Sequence, residues 1–180
     1  MNHDTQPHQD LAAPVTDWFK PLAYALVLLR DRGYPCVWYG DLYGTRCDRD
    51  PAPPLGGDAA ALARLVLARK LYCYGAQADY FDYPTCVGWV RYGTWDRPAG
   101  CAVVVSNAGP GRKRMHVGEM HAGEAWTDVL GLDRGKGGQP PVVVVVIGED
   151  GFGEFRCGEK SVGVWVNREA EGRGRFEERL

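Results

Sequence analysis

Apolar residues recur at helical intervals along the first third of the chain and in short β-type runs beyond Tyr72. In "WFKPLAYALVLLRDR", Trp18 to Arg32, the residues Leu22, Ala25, Leu26 and Leu29 share one face at the i, i+3, i+4, i+7 spacing. Proline is accepted in a helix's first turn and glycine takes the left-handed position after its last, so Pro21 and Gly33 predict a helix over about 20–32. "YPCVWYG", Tyr34 to Gly40, is a short apolar run rich in aromatic and β-branched residues and predicts a buried strand. After the Pro/Gly loop "DRDPAPPLGGD", Asp58 is placed to cap a second helix on which Leu62, Leu65, Val66 and Arg69 repeat the helical spacing. Seven β-rich runs follow: "CVGWVRYG", "CAVVVSNAGPG", "KRMHVGEM", "EAWTDVLG", "PVVVVVIG", "GFGEFRCG" and "SVGVWVN". Gly, Pro, Asn and Asp separate them at the intervals of an all-β sandwich. "NREAEGRGRFEERL", Asn167 to Leu180, is charged and Gly-punctuated and predicts a frayed tail or a short surface helix.

Composition narrows the classes. At 180 residues and 45% apolar the chain is one domain, or a small domain with part of another attached. A formal net charge of −2 recommends neither nucleic acid nor an anionic membrane as partner. The longest apolar run, Val142 to Ile147, falls far short of the roughly 20 residues of a membrane span, and no basic segment followed by an apolar stretch opens the chain. Six cysteines, Cys36, Cys47, Cys73, Cys86, Cys101 and Cys157, form no CxxC pair and scatter through apolar segments. Reduced, buried thiols and a reducing, cytoplasmic compartment are therefore expected.

Isolated polar and aromatic residues carry less. His116 and His121 flank Glu119, but their spacing does not make their side chains converge, so no zinc site is expected. Trp89, Trp126 and Trp165 lie within predicted strands and read as core. Trp95, in "YGTWDRPAG", is the better candidate for exposure, although its reading too is that of a loop anchor. His8 and Asp10 read as a solvated loop.

A helix, a buried strand and a helix make the last unit of a parallel α/β structure, and an antiparallel sandwich follows. Together with "NHDTQP", "FKPLAYALVLLRDRGYPCVWYGDLYG" and "ARKLYCYGAQADYFDYPTCVGW", this organisation resembles the C-terminal portion of the alpha-amylase family of glycoside hydrolases. The similar branch contains the liquefying bacterial and the intracellular fungal enzymes, and the likeness runs from Asn2 to about Glu169. It implies an α/β barrel fragment followed by an all-β C-terminal sandwich. Asn2-His3-Asp4 matches the motif at the end of the seventh strand of a (β/α)8 barrel, and Gly33-Tyr34-Pro35 with Tyr39-Gly40-Asp41 matches that of the eighth. The implied domains are a barrel remnant at 1–71, a linker at 72–85, the sandwich at 86–167 and a charged tail at 168–180. Met1 stands where the family carries an Asp, so the chain is expected to begin inside a catalytic motif with most of the barrel missing.

The same resemblance implies retaining cleavage of internal α-1,4 bonds of starch or glycogen. Retention needs a carboxylate nucleophile and a carboxylic acid about 5–5.5 Å apart. In the family both come from the fourth and fifth barrel strands, so these 180 residues are expected to be inactive alone. Asp4 matches the third carboxylate, which stabilises the transition state, and His3 matches a donor to the same sugar. Asp41 stands either at the glucan cleft or as a cap of the following loop. Relatives hold calcium between barrel and sandwich with two carboxylates; the matching positions here are Thr85 and Asn107. Hard calcium requires anionic oxygens, so no cofactor is expected in this chain, and calcium belongs to a full-length family enzyme. An α-glucan is the expected ligand and a monomer the expected state. The competing readings are a non-catalytic β-sandwich module that binds glucan or a partner protein, and a truncated gene model. Without barrel neighbours, the apolar faces of residues 1–71 are expected to have little to pack on.

Overall fold

A computed structural model describes residues 2–6, 9–44, 58–131 and 143–177. His8, Cys47, most of the Pro/Gly loop, Val142 and the last three residues fall outside the described residues, as does the side chain of Asp58 expected to cap the second helix. A 3-10 turn at Asp17–Phe19 leads into α1 (Lys20–Leu28), followed by α2 (Tyr39–Tyr43) and α3 (Asp58–Tyr72). The strands are β1 (Gln77–Tyr80), β2 (Cys86–Arg91), β3 (Cys101–Ser106), β4 (Gly111–His116), β5 (Ala125–Asp128), β6 (Val144–Val146), β7 (Phe152–Cys157) and β8 (Ser161–Asn167). Six of the seven β-rich runs contain one of these strands whole, and β4 begins two residues ahead of "KRMHVGEM".

One sheet takes six strands in the order β1-β2-β3-β8-β5-β6, and β4 and β7 pair as a separate ribbon. Every strand pairing is antiparallel. Because successive side chains in a strand point to opposite faces, the large sheet feeds two cores. Trp89, Cys101, Val103, Val105, Val162, Val164 and Val166 face α1 and α3. Val90, Ala102, Val104 and Trp165 face the ribbon, whose Met115, Phe155 and Cys157 point back at them. The ribbon has one wet face and alternates accordingly, with Arg112, Arg114, Glu154 and Arg156 outside. The central strand β3 is buried at all of its positions and reads as a nearly unbroken apolar run, as a strand covered on both faces must. The result is three layers: helices, sheet, ribbon.

Several expectations change. The first helices do not lack partners: Leu22, Ala25, Leu28, Leu29, Leu62, Leu65 and Ala68 are buried in one core with the sheet. Helix α1 stops four residues before the expected end at 32, because groups distant in sequence capture its final carbonyls. Arg69 donates to the carbonyl of Leu28, and Trp89 Nε1 and Arg91 Nη1 donate to that of Leu29 at 3.3 and 3.4 Å. Residues 34–38 form no strand, and Tyr34 is fully exposed; a parallel strand needs a neighbour to complete its ladder, and no described strand lies beside this segment. The segment expected to be a linker holds β1, a half-buried edge strand without apolar alternation. The tail is anchored rather than frayed as far as it is described: Phe176 is buried and stacks on Tyr72 with ring centroids 6.1 Å apart.

Candidate functional site

Asn2 organises the opening motif. Its Oδ1 accepts the backbone N–H of Asp4 and of Thr5, each at 3.0 Å, which is the turn that Asn side chains favour. His3 and Asp4 are thereby held at the surface with Nε2 and Oδ1 3.2 Å apart. The His3 ring lies 6.3 Å from the Trp38 ring, tilted by 42°. Two motifs separated by over thirty residues in sequence are thus neighbours in space, and both flank α1.

Asp41 is placed differently from its neighbours. It is only 2% exposed, and its Oδ2 accepts the Tyr24 hydroxyl at 2.5 Å while Lys20 Nζ lies 3.6 Å from Oδ1. Tyr24 in turn accepts the backbone N–H of Trp38 at 3.3 Å. Asp41 is therefore closed to solvent here: it ties α2 to α1 and fixes the approach of Trp38. Burial, followed by the bond to Asp41, pushes the Tyr24 hydroxyl far above the usual tyrosine range. Lys20 and Tyr24 were not singled out as site residues, yet "KPLAY" places them one helical turn apart, and the pair is the signal that identifies the anchor.

Thr85 and Asn107 come together at the end of the ribbon-side groove. The carbonyl of Thr85 accepts Ser106 Oγ and the backbone N–H of Asn107, both at 3.1 Å. The groove, about 570 Å³, is also lined by Asp82 and Lys113, which form an ion pair. The hydrogen bond from Lys113 holds the Asp82 carboxyl below the usual carboxylate range. These donors do not fit a calcium site: the two matching side chains are neutral, the Thr85 carbonyl is already used twice, and the nearby carboxylate is spent on an ammonium.

Other candidates resolve into structure. His121 Nδ1 and Trp126 Nε1 each meet Glu124 Oε2 at 2.9 Å, while the His116 ring packs against Phe152 with centroids 4.9 Å apart. Among the described residues no group of three or more His, Cys, Asp or Glu side chains converges as a metal site. Trp89, Trp126 and Trp165 are buried as expected. Trp95 is 94% exposed and so is no loop anchor. The loop is instead held by Arg97, which bonds the Lys70 carbonyl at 3.1 Å and the Tyr74 hydroxyl at 2.8 Å.

No family model matches the chain. The alpha-amylase of Bacillus licheniformis is 44% identical over 168 residues, covering 93% of this chain and 31% of that protein. The cytoplasmic alpha-amylase of Escherichia coli (strain K12) is 43% identical over 178 residues, again 93% of this chain and 33% of that protein. The chain therefore spans about a third of the length of the curated relatives it matches. Among solved structures, AmyP in complex with maltose matches with a TM-score of 0.58 at 12% identity, over 96% of this chain and 40% of that one. A gamma-CGTase from alkalophilic Bacillus clarkii matches with a TM-score of 0.56 at 18% identity, over 94% of this chain and 26% of that one, so these two likenesses concern the fold. Along 93% of its length the chain is thus a homologue of alpha-amylases, and it corresponds to their C-terminal portion.

Proposed function

We propose that these 180 residues are the C-terminal part of an alpha-amylase-like glycoside hydrolase that cleaves internal α-1,4-glucosidic bonds of starch or glycogen with retention. The observation that carries this reading is the meeting of the Asn2–Asp4 turn with the Trp38–Asp41 segment, in a chain over 40% identical to amylases. Residues 1–71 are assigned to the end of a (β/α)8 barrel and 86–167 to the trailing sandwich, so the core shared by helices and sheet is the junction of the two. Asp4 is the transition-state stabiliser: an exposed carboxylate hydrogen-bonds sugar hydroxyls more strongly as the ring flattens, favouring the transition state over the ground state. His3, held beside it, donates to the same sugar. Asp41 contributes by positioning Trp38 rather than by touching glucan. The nucleophile and the general acid that retention requires lie in the family on strands outside these residues, so the chain alone does not turn over. A monomer, a cytoplasmic setting and the lack of a calcium site built from this chain's own Thr85 and Asn107 complete the assignment.

A second reading, a glucan-binding sandwich module, is favoured by Trp95, a flat ring held in solvent by a turn closed at 2.9 and 3.0 Å between Thr94 and Arg97. Incubating the chain with soluble starch and, separately, sedimenting it with insoluble starch distinguishes the two. The enzyme reading expects no released reducing ends and no saturable retention. Retention that Trp95→Ala abolishes would replace it with the binding module.

A further inference from the structure

Cys73 and Cys101 meet inside the helix–sheet core with their sulfurs 3.6 Å apart. Cys73 directly follows α3 and Cys101 opens β3, so the contact lies at the seam between the helical layer and the large sheet. Both thiols are free and buried, Cys73 at 8% exposure being the one nearer solvent. A thiol is a weak donor and a weak acceptor, so two sulfurs set against each other add little as a hydrogen bond. Their separation matters more. A disulfide at about 2.05 Å needs the sulfurs to approach by roughly 1.5 Å, a short closure for two side chains already in contact.

We propose that Cys73 and Cys101 form a reversible oxidative modification site whose disulfide staples the end of α3 to the start of β3. A small peroxide is the oxidant. The Cys73 thiolate attacks one oxygen of hydrogen peroxide, breaking the O–O bond and leaving a sulfenic acid, with one water released after proton transfer. The Cys101 sulfur then attacks the sulfenic sulfur; the S–S bond forms, the S–O bond breaks and a second water leaves. Two thiols lose two electrons and two protons in total, and one peroxide is reduced to two waters. A dithiol reverses the step by exchange. The Cys73 thiol beside it and its own burial push the Cys101 thiol well above its usual range, so the closing step, in which Cys101 attacks, is the slow one. In a reducing compartment such a bond serves as a transient sensor of oxidation rather than a permanent brace.

The link would close a loop of 28 residues that contains β1 and β2, and constraining that loop in the unfolded chain raises the thermal midpoint by roughly 5–15 °C. The test treats the purified chain with hydrogen peroxide until Cys36 is fully oxidised, alkylates the remaining thiols in denaturant and maps peptides by mass. Expected are linked Cys73 and Cys101 peptides, 2 mass units below the sum of the two free thiols. A raised midpoint that dithiothreitol returns to its starting value is also expected. Cys101→Ser should abolish the peroxide-dependent rise while Cys157→Ser keeps it, each variant being compared with itself before and after oxidation. Recovery of both Cys73 and Cys101 in alkylated form overturns the proposal, as does a link of either one to another cysteine.

Discussion

Replacing Asp41 by Ala separates an anchor from a ligand contact. In the folded chain the Asp41 carboxylate takes the Tyr24 hydroxyl at 2.5 Å and faces Lys20 Nζ at 3.6 Å. Truncation strands the hydroxyl, and a hydrogen bond to a charged group is worth about 1.5–3 kcal/mol. Breaking a buried ion pair outright costs about 3–5 kcal/mol, but Lys20 keeps a second partner in Asp17 at 3.0 Å, so that larger figure does not apply in full. The net expectation is a loss of about 2–3 kcal/mol. At roughly 2–4 °C per kcal/mol for a chain of this size, the thermal midpoint falls by about 4–12 °C. Tyr24→Phe should cost less, because Lys20 still faces the carboxylate, and the double variant should lose less than the sum of the two singles. Calorimetry on the four proteins decides the matter. A midpoint within 1 °C of the parent for Asp41→Ala would refute the argument and return Asp41 to the candidates for glucan contact.

Leu65→Ala, fully buried between α3 and the sheet, should cost about 2–5 kcal/mol and move one cooperative transition, since both layers share a core; a small separate early transition in denaturant melts would show the helices to be independent. Burial pushes Tyr72 up to about 12 and Tyr24 higher still. An unfolded tyrosine ionises near 10. Both contributions are therefore complete below that pH; the Tyr72 part is lost as pH rises from about 10 through 12 and the Tyr24 part continues to be lost above it, so alkaline melts should steepen from about 10 and Tyr72→Phe should flatten them. Thermal midpoints in excess calcium and in chelator should agree within about 1 °C, because a ligand that binds only the folded state must raise apparent stability and the Thr85–Asn107 donors do not fit the ion; a rise of several degrees abolished at Asn107 would contradict this.

The strands were legible because their punctuation is local: Gly, Pro and Asn end each run, and inward alternation marks β4 and β7. What escaped depends on neighbours distant in sequence. Gln77–Tyr80 joins the sheet as a half-buried edge, where no alternation is required. Tyr34 to Trp38 has the composition of a strand, but a strand exists only with a partner along its edge, and composition is silent on that. The end of α1 is set by Arg69, Trp89 and Arg91 taking its carbonyls, groups 41 to 62 residues away. The candidate site divides along the same line. The turn at Asn2–Asp4 follows from its own side chains, whereas the role of Asp41 rests on Lys20 and Tyr24 one helix away. Trp95 is exposed because Arg97 fastens the loop to Tyr74 and Lys70, leaving the indole without a structural task.

The proposed role of Asp4 is that of one carboxylate in a glucan-cleaving site completed by barrel strands outside these residues. Fusing the chain to the preceding portion of the 44%-identical Bacillus licheniformis alpha-amylase and measuring turnover on a maltooligosaccharide, with Asp4 or Asn at that position, tests it most directly. The account predicts hydrolysis by the Asp4 fusion and a loss of roughly 10²–10³ in turnover for Asp4→Asn, the cost of removing one preorganised transition-state contact, with a smaller change in the Michaelis constant. Near-normal turnover in the Asn fusion would contradict it.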